Sequence, residues 1–152
     1  MNLGHYVSHL CSALADLDEA CRAVAAAHAE EPDVDIDCTR YAERCADQAR
    51  LLDSFLDRYP STAGEDEGTG SGASWRGPRD GPLGLLRDLH DLYLMSCDCD
   101  ISWTIVAQGA QAARDLELLD VVRRCEPHVS TQTAWMRSRM QQAAPQVLVV
   151  AR

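Results

Sequence analysis

The residues of this chain best equipped for chemistry are its seven cysteines. Five of them, Cys21, Cys38, Cys45, Cys99 and Cys125, recur at the spacing of an apolar helix face. A thiolate is a soft ligand, so a layer of four inside a helical bundle would select Zn²⁺ or Cu(I). With a rise of about 1.5 Å per residue, Cys21 and Cys45 lie at nearly the same height from a turn near Pro32. Cys99 and Cys125 lie at similar heights from a turn near Asp115. Cys21, Cys45, Cys99 and Cys125 are therefore the candidate metal ligands, with Asp100 and Glu126 flanking them as carboxylates. The same pattern has a second reading, because cysteine is also a small hydrophobe that is often buried. No Cys-x-x-Cys occurs, and Cys97-Asp98-Cys99 is the one close pair. The residues leave both readings open.

The five histidines add little chemistry. His5 and His9 are one helical turn apart but fall on an outward face with Asp16 and Glu19. His28 closes an apolar seam near a helix end, where a carbonyl terminus favours it. His90 and Asp91 follow Asp88 on a stripe read as exposed. Glu126 and His128 flank Pro127, where a kink would free backbone carbonyls. None of these histidines has a serine or cysteine partner at a spacing that marks a nucleophile. Phosphate-binding glycine loops are absent as well. The expectation is a protein that is not an enzyme and carries no cofactor, or a transition metal ion at most.

Charge narrows the partners. The chain has 152 residues with 24 acidic against 14 basic side chains, all of the latter arginine, for a formal net charge of -10. Such a surface is repelled by nucleic acid and by anionic lipid, so neither is expected as a partner. No apolar run approaches the roughly 20 residues of a membrane span, and no signal peptide is evident at the start. An odd number of cysteines, lodged in helical rather than loop segments, fits a reduced and cytoplasmic protein. Abundant alanine and a single phenylalanine, Phe55, favour helices.

Four helices can be read from the hydrophobic spacing. The first covers about 3–29, with a seam of Leu3, Val7, Leu10, Leu14, Leu17, Cys21, Val24 and His28. Pro32 is expected to end that region. The second covers about 35–59, with Cys38, Tyr41, Cys45, Gln48, Leu52, Phe55 and Tyr59. Residues 60–81 are rich in Gly, Ser and acid and are expected to form a flexible loop. The third helix covers about 82–112, with Leu85, Leu89, Leu92, Ser96, Cys99, Trp103, Val106 and Ala110. The fourth covers about 115–143, with Leu118, Val122, Cys125, Val129, Gln132, Met136 and Ala143. Pro145 is expected to stop it before an apolar, β-prone tail at 145–152. The fold class is all-α: a single four-helix bundle over 1–152, made of two antiparallel hairpins and a long connection.

A long link between the second and third helices resembles the ferritin-like superfamily. In the fourth helix, Glu117-Leu118-Leu119, Cys125-Glu126 and Trp135 resemble the Leu-Leu, Glu and aromatic run of small ferritin-like proteins. The resemblance implies a bundle built around a site for two metal ions, with inward carboxylates and a Glu-x-x-His on two helices. This chain contains no Glu-x-x-His, and the neutral Gln48 and Gln132 lie on its seams. The expected role is therefore a ferritin-like bundle without catalytic metal that self-associates or docks on a protein partner. Metal binding by the core cysteines or residual carboxylates (Zn, Cu(I) or Fe) is the alternative. Leu94, Ile101 and Ile105 form a second apolar stripe opposite the third seam, and one helix cannot aim both stripes at one core. A homodimer through those three residues is expected, unless the long loop or the tail covers them.

Overall fold

The computed structural model describes residues 2–61 and 75–151. It contains α1 (Leu3–Ala27), α2 (Pro32–Arg58), α3 (Gly81–Ala112) and α4 (Leu116–Pro145), followed by a π-helical turn at Gln146–Val150. No strand occurs among the described residues. The four seams close on a shared interior. Leu14, Leu17, Leu52, Phe55, Leu89, Leu92, Trp103, Val122 and Met136 are all buried in one cluster. Burial of these side chains supplies most of the drive for helices whose own propensity would not hold them in water.

Two prolines act differently from the expectation drawn above. Pro32 opens α2 instead of merely ending α1. Its missing N–H is no loss in a first helical turn, and its fixed φ suits that position. α1 closes earlier, at Ala27, with the His28 N–H returning to the Val24 carbonyl. Pro145 likewise fails to stop the chain, and the tail is helical rather than extended. The wider turn ends with the Ala151 N–H bonded to the Gln146 carbonyl at 2.8 Å. A π turn follows naturally where proline interrupts the ordinary ladder. α4 runs through Pro127 without a break.

The helix order is set by long-range pairs. α1 packs on α2 and on α3, α4 packs on α3 and on α2, and the other two pairs are diagonal. His28 at the end of α1 meets Asp88 near the start of α3. Arg58 at the end of α2 meets Asp115 at the start of α4, and Arg139 reaches back to Asp33. Every packed pair is thus antiparallel, and the diagonal pairs α2 and α3 run the same way. The order is up-down-down-up, so the end of α2 and the start of α3 lie a bundle length apart. α2 has 27 residues, about 40 Å at the usual rise, which residues 60–80 easily span at about 3.3 Å each.

Both ends of that connection are docked. At its start a Cβ on Gly4 would collide with the Tyr59 carbonyl and lie 2.9 Å from that of Pro60, so α1 and the departing chain touch backbone to backbone. At its end a Cβ on Gly84 would lie 2.9 Å from the Arg79 carbonyl carbon. Trp75 is half-buried against the core. Within the stretch expected to be flexible, Trp75 and Arg79 are thus packed against the bundle, while residues 62–74 lie outside the described ones. The α3–α4 turn closes with the Asp115 N–H on the Ala110 carbonyl and the Arg114 N–H on that of Gln111. This paired motif ends a helix through a left-handed residue, here Arg114 at φ 56.

If these seams hold the bundle, Leu89→Ala should lower its stability by about 2–5 kcal/mol. Urea denaturation followed by helical circular dichroism reads this directly. A change of a few tenths would show that Leu89 does not carry the core.

Candidate functional site

The interior holds the cysteines in a definite grouping. Cys21 on α1, Cys38 and Cys45 on α2, Cys99 on α3 and Cys125 on α4 are all buried and free. Cys38, Cys45 and Cys99 all act electrostatically on Cys21, and Cys45 acts on Cys99. Cys21 thus lies within electrostatic reach of the other three thiols, although Cys38 and Cys45 are separated by about 10 Å of rise along α2. Of the four candidate ligands, Cys21, Cys45 and Cys99 act on one another, and Cys38 acts on Cys21. Cys125 stands apart, with Arg124 as the charged group acting on it. Asp100 and Glu126 are half-buried at the edge of the core. Among the described residues, no three His, Cys, Asp or Glu side chains are arranged to hold a metal ion.

Burial sets the chemistry of these thiols. It pushes Cys38 and Cys45 up to about 12 and Cys125 up to about 11, and drives Cys21 and Cys99 well above the ordinary thiol value. For Cys38 the neighbouring Asp37, Asp33 and Asp35 push the same way. For Cys45 a hydrogen bond with Gln132 opposes the rise without overcoming it. A thiol held protonated is neither a nucleophile nor, until its proton leaves, a metal ligand.

An amide and hydroxyl chain crosses the same interior. Gln132 Nε2 donates to Ser96 Oγ at 2.9 Å, and Ser96 Oγ donates to Met136 Sδ at 3.4 Å. All three side chains are buried. Gln48 is buried on α2 as well. Where the ferritin-like resemblance implies carboxylates, these seams carry amides, which bring no charge into the core.

The most elaborate polar group was not legible in the sequence. Asp88, read as part of an exposed stripe, is completely buried, whereas its neighbour His90 is exposed. Its Oδ2 lies 2.8 Å from His28 Nε2 and accepts the Arg79 backbone N–H at 3.0 Å. Its Oδ1 accepts Arg79 Nη1 at 2.9 Å, and the same nitrogen reaches Asp91 at 2.9 Å. One signal was available: Asp88, Met95 and Ser102 are spaced by seven and all are buried. They form a second inward column on α3. His9 also departs from its expected outward setting, because its Nε2 lies 3.1 Å from Asp98 Oδ2 on α3. His5 is half-buried, its ring edge-on to Tyr6. The outward side of α3 presents the expected three apolar residues, Leu94, Ile101 and Ile105, exposed by 41%, 55% and 37%, beside the polar Arg87, His90, Thr104 and Gln108. Trp103 is wholly buried, so the helix is not simply rotated to hide that stripe.

No helix among the described residues is long and apolar enough to cross a membrane. Native-state alkylation checks the thiol assignment. At mildly alkaline pH half-buried Cys97 should react first, and the five core thiols only as fast as the protein opens. Because folding raises their pKa values, the unfolded chain gives up these protons more readily. Stability should therefore fall as pH rises above the ordinary thiol value of 9.0 towards about 12. Rapid labelling of Cys45 or Cys99 in the folded protein would refute a sealed thiol core. No family model, curated protein or solved structure matches this chain.

Proposed function

We propose that this chain is a ferritin-like helical bundle without catalytic metal, acting by self-association through the outer face of α3. The observation that carries the reading is the exposed stripe. Leu83, exposed by 53%, extends it. Leu83, Leu94, Ile101 and Ile105 are separated by eleven, seven and four residues, which keeps them on one line of an α-helix. The line covers roughly 33 Å at the usual helical rise, with exposed Arg87 and His90 between Leu83 and Leu94. Apolar surface concentrated in this way marks an interface more often than it marks solvent. A twofold pairing, with one α3 laid antiparallel on another, would bury the stripe in a closed dimer. The ferritin-like part of the reading rests on the helix order, with the end of α2 and the start of α3 a bundle length apart.

A second reading starts from Cys21, which has Cys38, Cys45 and Cys99 within electrostatic reach, and it requires the core to draw these thiols closer than they stand. In it the core takes up a soft metal ion and loses thiol protons in doing so.

Sedimentation of the reduced protein at micromolar concentration tests the first reading, and elemental analysis of the same preparation tests the second. The expected result is a dimer that Ile101→Asp converts to a folded monomer, with no stoichiometric metal. A monomeric wild-type protein would end the self-association reading. About one bound Zn, Cu or Fe per chain would replace it with metal binding.

A further inference from the structure

Two polar atoms in the core lack a hydrogen-bond partner among the described residues, and they are complementary. Gln48 Oε1 is an acceptor and Trp103 Nε1 carries a donor hydrogen. Gln48 is 6% exposed and Trp103 is 0% exposed. A buried polar atom left unpaired is costly, so each such atom calls for a physical explanation.

The helix pairings place the two at one level. The Tyr41–Trp135 ring contact and the Arg58–Asp115 ion pair align α2 with α4 so that Gln48 comes level with about residues 125–128. The Gln132–Ser96 bond aligns α4 with α3. Seven residues further along α3, Trp103 is level with about residue 125. Gln48 and Trp103 therefore occupy one core layer, together with Cys125. They lie on the diagonal helices α2 and α3. Each of these two helices packs on both α1 and α4, so both buried side chains enter the interior that those helices share.

We infer that this layer is a binding site for one water molecule, held between Trp103 and Gln48. Its oxygen accepts the indole N–H of Trp103, and one of its hydrogens is donated to the Gln48 carboxamide oxygen. This satisfies both orphaned atoms with a single molecule, and interior waters are held by such groups. Neither side chain brings a charge, so the ligand is a neutral molecule that both donates and accepts.

A crystal structure at a resolution that shows ordered solvent tests this first, and should show a water within hydrogen-bond distance of both atoms. Proton NMR tests it in solution. The Trp103 indole signal, identified by its loss in Trp103→Phe, should show a cross-peak to a bound water. That cross-peak should disappear in Gln48→Met while the variant remains helical. A direct bond from the Trp103 indole to the Gln48 carboxamide would overturn the inference. So would a crystal layer filled by side chains alone, or a water cross-peak that persists unchanged in Gln48→Met. If Gln48→Met does not fold, the wild-type crystal structure decides the matter by itself.

Discussion

A fully buried carboxylate organises this bundle. Asp88 has no access to solvent, and an ionised group in that position is tolerated only when its oxygens are well supplied with donors. Its partners come from two other stretches of chain, so three stretches meet at this one carboxylate. His28 terminates α1, Arg79 terminates the long connection, and Asp88 itself stands in the first turns of α3. One charge therefore joins the end of α1 to the beginning of α3, which makes those helices antiparallel. α2 already runs against α1, so α2 and α3 must point the same way. The end of α2 and the start of α3 therefore lie at opposite ends of the bundle. At the α2 end Asp115 plays the mirror role. Burial opposes its charge, yet the Tyr59 hydroxyl, the Arg58 guanidinium and the Leu118 N–H hold its carboxyl below the usual range. The glycines complete the arrangement, because Gly4 and Gly84 lie where the connection's two ends press on helix backbone.

How far the sequence reveals this depends on whether a feature is local. The seams are local, since three- and four-residue steps repeat within each helix, and every residue assigned to the α3 seam is buried. The exposed line on α3 is legible for the same reason. Asp88 is not, because its burial depends on α1 lying across it. Read within α3 alone, a carboxylate beside His90 and Asp91 looks like solvated surface. The column Asp88, Met95 and Ser102 shows that α3 buries two faces, one towards α1 and one towards the centre. The prolines mislead in a related way. Pro32 and Pro145 carry the same local signal, but the first begins a helix and the second is absorbed by a wider turn. The cysteine layer was legible as burial but not in its grouping. Cys38, and not Cys125, lies within electrostatic reach of Cys21, and only the packing of the helices decides that.

The interior and the surface divide the work of the proposed role. Inside, burial keeps the thiols protonated, and Gln48, Gln132 and Ser96 are uncharged. A core of that kind stabilises and specifies the bundle without offering reactive groups. Outside, the net charge of -10 discourages indiscriminate association. Against that background the apolar residues on the outer face of α3 are the surface through which the proposed self-association would act. The rigidity of α3 matters, since an interface on a helix fixed by Trp103, Cys99 and Asp88 has little ordering cost to meet on binding.

The dependence of the whole arrangement on Asp88 can be measured directly. Asp88→Asn keeps the size of the side chain but removes the charge that Arg79 and His28 surround. The variant's stability in urea, compared with wild type at neutral pH, should fall by about 3–5 kcal/mol, the range for breaking a buried ion pair. The Arg79 end of the connection should become open to proteolysis at the same time. A variant as stable as wild type to within a few tenths of a kcal/mol, with that segment still protected, would show that the bundle order does not rest on this charge.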